Sequence, residues 1–340
     1  MVLSERKQKI LTAVIERYIA SGEAVGSKLL LDMMNLPVSS ATVRNELSEL
    51  SDMGYLIQPH TSAGRIPSDR GYRYYVDNLM KNYELSDSQR RLIEKTVDAK
   101  LGDPEQILEQ AGETLARLTN CAVLTAAPGG DTATVRGIEL IRVGNKTLMM
   151  VLMTSTGIIK SKLCRMDFAI TKSTVEIFYN VINHIIIGRQ LIEIDTALLQ
   201  TIVSSIDQGI FLLSPLFATL SDLVGEASGT QIILDGQSNL LHHRELLNDA
   251  YELMTFLKDT EPITRMVTAG KKDIEIRIGQ ENIYRPLKNT SVIISRYSTR
   301  SKSGGALGVI GPTRMDYARL IPNIKYLSEH VERIFNDILE

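Results

Sequence analysis

Cysteine is nearly absent from this 340-residue chain: Cys121 and Cys164 stand alone, with no CxxC spacing. That argues against a disulfide framework and a cysteine-built zinc site, and makes a reducing cytoplasm the expected setting. Long apolar runs are missing too. Leu148–Met153 and Ile185–Ile187 fall far short of the roughly 20 residues that span a bilayer, so no membrane partner is expected. The first residues are charged at once and show no apolar stretch of a secretory signal. An excess of positive charge is also lacking. The chain has 38 Lys+Arg against 40 Asp+Glu, a formal −2. Residues 1–80 alone hold nine basic and nine acidic side chains. Bulk charge therefore gives no support to nucleic-acid binding, and such a reading must rest on a local patch.

What remains is an ordinary globular balance. Hydrophobic residues make up 44% and charged residues 23%, which excludes collagen-like, disordered and supercharged classes. At about 150 residues per domain, two or three domains are expected.

The first 80 residues read as one unit. An i, i+4, i+8 stripe through Ile10, Leu11, Val14, Ile15, Tyr18 and Ile19 predicts an amphipathic helix over Ser4–Ala20, capped by Ser4 and stopped by Ser21-Gly22. Ser27 can cap a short helix over Lys28–Met34, and Asn35-Leu-Pro37 breaks the chain. Ser39 or Ser40 caps a third helix to about Met53, ended by Gly54. Tyr55–Gln58 and Ile66-Pro67 can pair as a hairpin, and Asp69–Lys81 reads as another helix. Three helices followed by a β-hairpin is the plan of a winged helix-turn-helix. A charged, helix-compatible stretch over Lys81–Asp103 holds the first boundary.

Further on, helix over Pro104–Leu118 and strand over Ala122–Ala127 precede a Pro-Gly-Gly turn. Strands are expected at Val135–Val143, Thr147–Thr154 and Ile158–Arg165, with hairpin turns between them. Residues 171–226 return to helical periodicity, with Phe178, Tyr179, Ile182, Ile185 and Ile186 in one group and Phe211, Leu212, Leu216 and Phe217 in another. Most should fill a core, leaving some for a partner. A strand at Gln231–Leu234, a helix at Arg244–Lys258, strands at Asp273–Ile278, Ser291–Tyr297 and Leu307–Ile310, and a closing helix at Asp316–Leu339 complete the pattern.

The chemistry concentrates in residues 38–75. A recognition helix offers its N-terminal turns to the major groove. Ser39 and Ser40 sit at that end, where free N–H groups favour a phosphate. Thr42, Arg44 and Asn45 are types that read or position bases: Arg pairs bidentately with guanine and Asn with adenine. The hairpin carries His60, Thr61, Ser62 and Arg65, with a glycine that lets backbone approach backbone. Between residues 58 and 75 three arginines stand against one aspartate, a locally positive patch. The plainer alternative is a capped surface helix beside a hydrophilic hairpin.

Four stretches make the sequence similar to a known family: SSATVRNELSELSDMGYL at Ser39–Leu56, PHTSAGRIPSDRGYRYYVDNL at Pro59–Leu79, IGQEN at Ile278–Asn282 and GVIGPTRMDYARLI at Gly308–Ile321. They resemble the heat-inducible transcription repressor family HrcA. The resemblance implies an α+β multidomain fold. Residues 1–100 would be the winged helix-turn-helix with a linker helix, 101–130 and 229–340 a GAF-like α/β domain, and 131–228 an inserted dimerisation domain. It implies a homodimer on double-stranded DNA, repressing class I heat-shock operons (chaperonin and Hsp70 system) through an inverted-repeat operator called CIRCE, assisted by the chaperonin. No cofactor or metal is implied.

Other candidates carry less. His242-His243 with Glu245 invites a metal, yet adjacent histidines on a helix point about 100° apart and no third ligand is well spaced. Gly304–Gly311 lacks the lysine of a phosphate loop and precedes a strand rather than following one, so a tight turn feeding a packed strand is expected. Cys121 and Cys164 suit a core as small buried residues. No nucleophile elbow or paired-carboxylate pattern marks an enzyme. Two alternatives remain: a winged-helix regulator whose GAF-like part senses a small ligand, and an enzyme with an appended winged helix, which would need titratable groups clustered in a cleft.

Overall fold

The computed structural model describes residues 3–34, 38–81, 83–97, 104–127, 130, 133–205, 213–270, 272–299 and 304–338. The break expected at Asn35–Pro37, the end of the linker at 98–103, the start of the Pro-Gly-Gly turn, and Phe211 and Leu212 lie outside the described residues. The fold is mixed α/β, and among the described residues its strands form a two-stranded, a five-stranded and a three-stranded sheet.

The N-terminal region, here the head, begins with α1 (Glu5–Ser21). Ser4 caps it by accepting from the Lys7 amide at 3.4 Å, and Gly22, at φ 68, stops it. Its apolar stripe buries Ile10, Leu11, Val14 and Ile15. Helices α2 (Ser27–Met34) and α3 (Ser40–Asp52) follow. The ladder β1 (Leu56–Ile57) with β2 (Ile66–Pro67) is antiparallel, pairing Leu56 with Pro67 and Ile57 with Ile66. Next comes α4 (Asp69–Tyr74), which is shorter than its periodicity predicts. The chain widens there into a π-helical turn over Tyr75–Leu79, closed by the Met80 amide on Tyr75 O at 2.8 Å.

The rest, the body, starts with α5 (Asp87–Thr96) and α6 (Pro104–Thr119). Strand β3 (Ala122–Ala126) leads to a meander of β4 (Val135–Arg142), β5 (Thr147–Thr154) and β6 (Ile159–Arg165). Helices α7 (Lys172–Ile185), α8 (Thr196–Ser205) and α9 (Ser214–Ser228) cover it. The chain returns as β7 (Ile232–Asp235), then α10 (Ala250–Lys258) and α11 (Thr260–Thr268). Strands β8 (Ile274–Ile278), β9 (Thr290–Ser298) and β10 (Gly304–Pro312) and helix α12 (Tyr317–Ile338) end it. The large sheet runs β7-β3-β10-β9-β8 and is antiparallel throughout.

Three apolar clusters hold these parts. One joins the head to α6, α12 and one face of the large sheet. A second covers the opposite face with α10 and α11. The third fills the meander and α7–α9, burying Phe178, Ile182, Ile186, Leu216 and Phe217. Strands β3 and β7 are neighbours, with Ala126 opposite Ile232. The chain thus leaves and re-enters the large sheet at one place.

Several expectations differ from the structure. The helix expected over Arg244–Lys258 begins only at Ala250, because residues 244–249 form a 3-10 segment. Helix α11 has no counterpart in the sequence reading. Asp259 caps it, accepting from the Glu261 amide at 3.2 Å, while Ile263, Met266 and Val267 are buried. Gly304 and Gly305 are not a turn but the start of β10, a central strand. Small residues suit that place, since a Cβ on Gly305 or Gly308 would collide with Tyr297 or Leu124.

Candidate nucleic-acid interface

Helix α3 is built to show one face. Ser39 caps it, its Oγ accepting from the Thr42 amide at 3.1 Å and lying 2.9 Å from Thr42 Oγ1. Val43, Leu47 and Leu50 anchor the buried side. That leaves Ser40, Ala41, Arg44, Asn45 and Ser48 exposed on one stripe. Arg44 and Asn45 make no side-chain hydrogen bond or ion pair among the described residues, so their donors and acceptors are free for a ligand. Ser40 Oγ lies 3.1 Å from Ser27 Oγ, which draws the start of α2 beside the start of α3. Two sets of free helix N–H groups thus lie side by side.

The hairpin loop lies in the same region of the sequence and is held from beneath. Gln58 Nε2 donates to Thr61 O at 2.9 Å and Ala63 O at 3.1 Å, and the Ala63 amide donates to His60 O at 2.9 Å. His60, Thr61 and Ser62 are exposed as a result. Arg65 exchanges both backbone hydrogen bonds with Val25 at 2.8 Å. Gly64 beside it backs onto the Val25 carbonyl, where a Cβ would clash, so only glycine fits. The Arg65 Nε donates to Ser51 Oγ at 2.9 Å. The guanidinium is therefore tethered at Nε, and its two terminal nitrogens make no hydrogen bond or ion pair among the described residues.

The positive patch expected between residues 58 and 75 is largely spent on internal contacts. Arg65 is anchored on Ser51, Arg70 stacks over the Tyr55 ring at 4.8 Å, and Arg73 turns away to Glu281. Arg6 and Lys7 are spent likewise, on Glu46. Arg44 is the cation that the buried face of α3 pushes outward.

Glu46 is a residue that sequence reasoning missed. It is 4% exposed and is the one charged side chain buried among the described residues. Arg6 Nε donates to its Oε1 at 2.7 Å, and Lys7 Nζ lies 3.2 Å from Oε2 and 2.8 Å from Glu49 Oε2. Burial pushes the Glu46 carboxyl up, but Arg6 and Lys7 outweigh it and hold it below the usual carboxylate range. The signal was present in the sequence: an acid three residues after Val43 and four before Leu50 falls on the apolar stripe. Gln58 and Ser51, which shape the hairpin, left no such trace. The metal candidate is accounted for differently. His243 Nε2 lies 2.9 Å from Asn120 O and Glu245 pairs with Arg314.

A capped helix offering Arg, Asn and hydroxyl groups beside an exposed polar hairpin, on a mixed α/β body, has the make-up of a regulator that acts on nucleic acid. The family model described as HrcA protein C terminal domain matches residues 105–321. A heat-inducible transcription repressor HrcA of Acetivibrio thermocellus is 33% identical, covering 98% of each chain. That of Moorella thermoacetica is 34% identical over 99% of each. A crystal structure described only as that of a hypothetical protein superposes with a TM-score of 0.72 at 26% identity, covering 99% of this chain and 100% of that one. The chain belongs to the HrcA family of heat-inducible transcription repressors. That family is one of regulators rather than of enzymes. No helix among the described residues is long and apolar enough to cross a membrane.

Proposed function

We propose that the chain is a homodimeric repressor whose head is a winged helix that reads an inverted-repeat operator of the CIRCE type. Class I heat-shock operons are its targets, and the chaperonin assists its activity. The observation that carries this is the exposed stripe Ser40, Arg44, Asn45 and Ser48 on α3. Ser39, Ser40 and Thr42 cap and flank the helix at the phosphates, and Arg44 and Asn45 meet base edges. His60, Thr61, Ser62 and Arg65 bind backbone from the hairpin, Arg65 with its guanidinium already oriented by Ser51.

The body divides into a GAF-like domain at 101–130 and 229–340 and an inserted dimerisation domain at 131–228. The adjacency of β3 and β7 supports the insertion. The meander supports dimerisation there. Its outer face carries the row Ile141–Met149–Leu163 and the pair Met153–Ile159. Ile141, Leu163 and Ile159 are 48%, 62% and 63% exposed. Between them lies the row Glu139–Val151–Ser161, apolar at its centre, and exposed apolar residues grouped in this way mark an interaction surface.

The test is a footprint and titration on an inverted-repeat heat-shock promoter against scrambled DNA. Protection of both half-sites with sequence discrimination supports the reading. Equal affinity for scrambled DNA refutes it.

A further inference from the structure

Two of the stretches that carry the family likeness are not used at the DNA face: IGQEN and the segment around Arg314–Tyr317. Both lie against the head. Asp69, in the first turn of α4, accepts from the Gln280 amide at 2.9 Å. One turn later Arg73 grips Glu281 with two nitrogens, Nε on Oε1 at 2.9 Å and Nη2 on Oε2 at 2.5 Å. The same Nη2 donates to Ile276 O at 2.6 Å, and Nη1 reaches Asp77 Oδ1 at 3.2 Å. Glu281 is oriented in turn by the Ile278 amide at 2.9 Å. Gly279, at φ 53, lies directly under Asp69, and a Cβ there would occupy the carboxylate's place.

Apolar contact lies beneath these polar ones. The Tyr72 and Tyr317 rings are 5.8 Å apart. Tyr72, Tyr75, Ile278, Tyr317 and Leu320 belong to the same cluster as the core of α1. Arg314 ties Glu245 to Ile19 O, at 3.3 Å to the latter. Domains joined by small polar interfaces swing freely, whereas a shared apolar core with a bidentate ion pair resists swinging. In a two-fold dimer built on the body, this joint fixes how far apart and at what angle the two α3 helices stand.

We propose that the joint formed by Asp69 and Arg73 with residues 279–281 is a specificity element that sets the half-site spacing the repressor accepts. The proposal rests on the dimeric operator reading above. Each base pair inserted between half-sites shifts them by about 3.4 Å and turns them by about 34°. A stiff joint cannot follow that change, and a loosened one can. The avidity of two-headed binding, about 100-fold or more over one head, is lost when geometry forbids the second contact.

The test uses the full chain, Arg73→Ala and Gly279→Val. Each is titrated against inverted repeats whose spacers grow stepwise to a half-turn, and against a single half-site. The wild-type protein is expected to lose about 100-fold at the half-turn. Both variants should lose less than about tenfold, with half-site affinity unchanged. Glu281→Gln, which keeps the shape and weakens the pair, should fall between them. It serves as the readout if circular dichroism shows Gly279→Val misfolded. Variants with the wild-type spacing profile overturn the proposal. So do variants that bind the native spacing more tightly with that profile kept, since the joint would then be an inhibitory clasp. A wild-type protein that prefers no inverted repeat over a half-site fails one step earlier, at the dimeric reading, and takes the proposal with it.

Discussion

Glu46→Gln perturbs the head at the point where α3 is fastened to α1. The side chain keeps its volume and loses its charge, leaving Arg6 without its counter-charge and Lys7 with Glu49 alone. Breaking a fully buried pair costs about 3–5 kcal/mol. Here Glu46 is buried but Arg6 is 50% exposed, so water compensates part of the loss. An expected cost of about 1–2 kcal/mol follows from that discount. The pH dependence has a definite sign. Because the folded carboxyl is held below its ordinary value, its stabilisation is present above the unfolded pKa, about 4.3, and is lost as pH falls through the folded value. Glu46→Gln should therefore destabilise the head at neutral pH and flatten the decline of stability towards acid. The assay is urea unfolding of the full chain from neutral to acid pH, followed by signals from the head. The double-mutant cycle with Arg6→Ala isolates the pair. Operator affinity should fall as well, because α3 carries Arg44 and Asn45 two residues and one residue before Glu46. An unchanged neutral midpoint together with an unchanged acid slope would refute the argument that this carboxylate fastens the helix.

Arg44→Ala should cost about 1–3 kcal/mol against the specific operator with little change on scrambled DNA; equal losses on both, by titration, would move Arg44 to the phosphates. Arg65→Ala should weaken all sequences and reduce the salt slope by about one unit, and Ser51→Ala should give part of the same effect by freeing the guanidinium that it holds at 2.9 Å; an untouched salt dependence removes the hairpin from the backbone. Replacing residues 131–228 by a short turn should yield a monomer with half-site binding only, since Ala126 and Ile232 already face each other across β3 and β7; a stable dimer in light scattering places the interface elsewhere. Mild heating should abolish operator binding unless chaperonin is added; full reversible binding without it speaks for a ligand in the body instead.

Much of the architecture was legible because its causes are local. The stripe over residues 10–19, the serines at 4 and 39 and the glycines at 22 and 54 mark α1 and α3 through side chains acting on their own backbone. Alternation in residues 135–165 marks the meander in the same way. Where distant packing decides, the periodicity misleads. Gly304 and Gly305 look like a turn, yet pairing with Ser298 and Tyr297 of β9 holds them extended. Tyr75–Leu79 carries an α-helical stripe but widens to a π turn.

The candidate site divides along the same line. The residue types on α3, and their placing at a capped helix start, are properties of the chain itself, as is membership in its family. Which charges are free is not. Nine basic residues stand against nine acidic ones in the first 80, and only folding pairs Arg6 with Glu46 and Arg73 with Glu281 while leaving Arg44 without a partner among the described residues. The apolar surplus behaves likewise: Phe178, Ile182 and Phe217 disappear into a core, while Ile141, Ile159 and Leu163 of the meander stay exposed. Local sequence sets caps, turns and stripes, because those contacts span a few residues. Pairing across 40 or 208 positions depends on where the tertiary fold brings the chain back, and that assignment chose which cations can meet DNA.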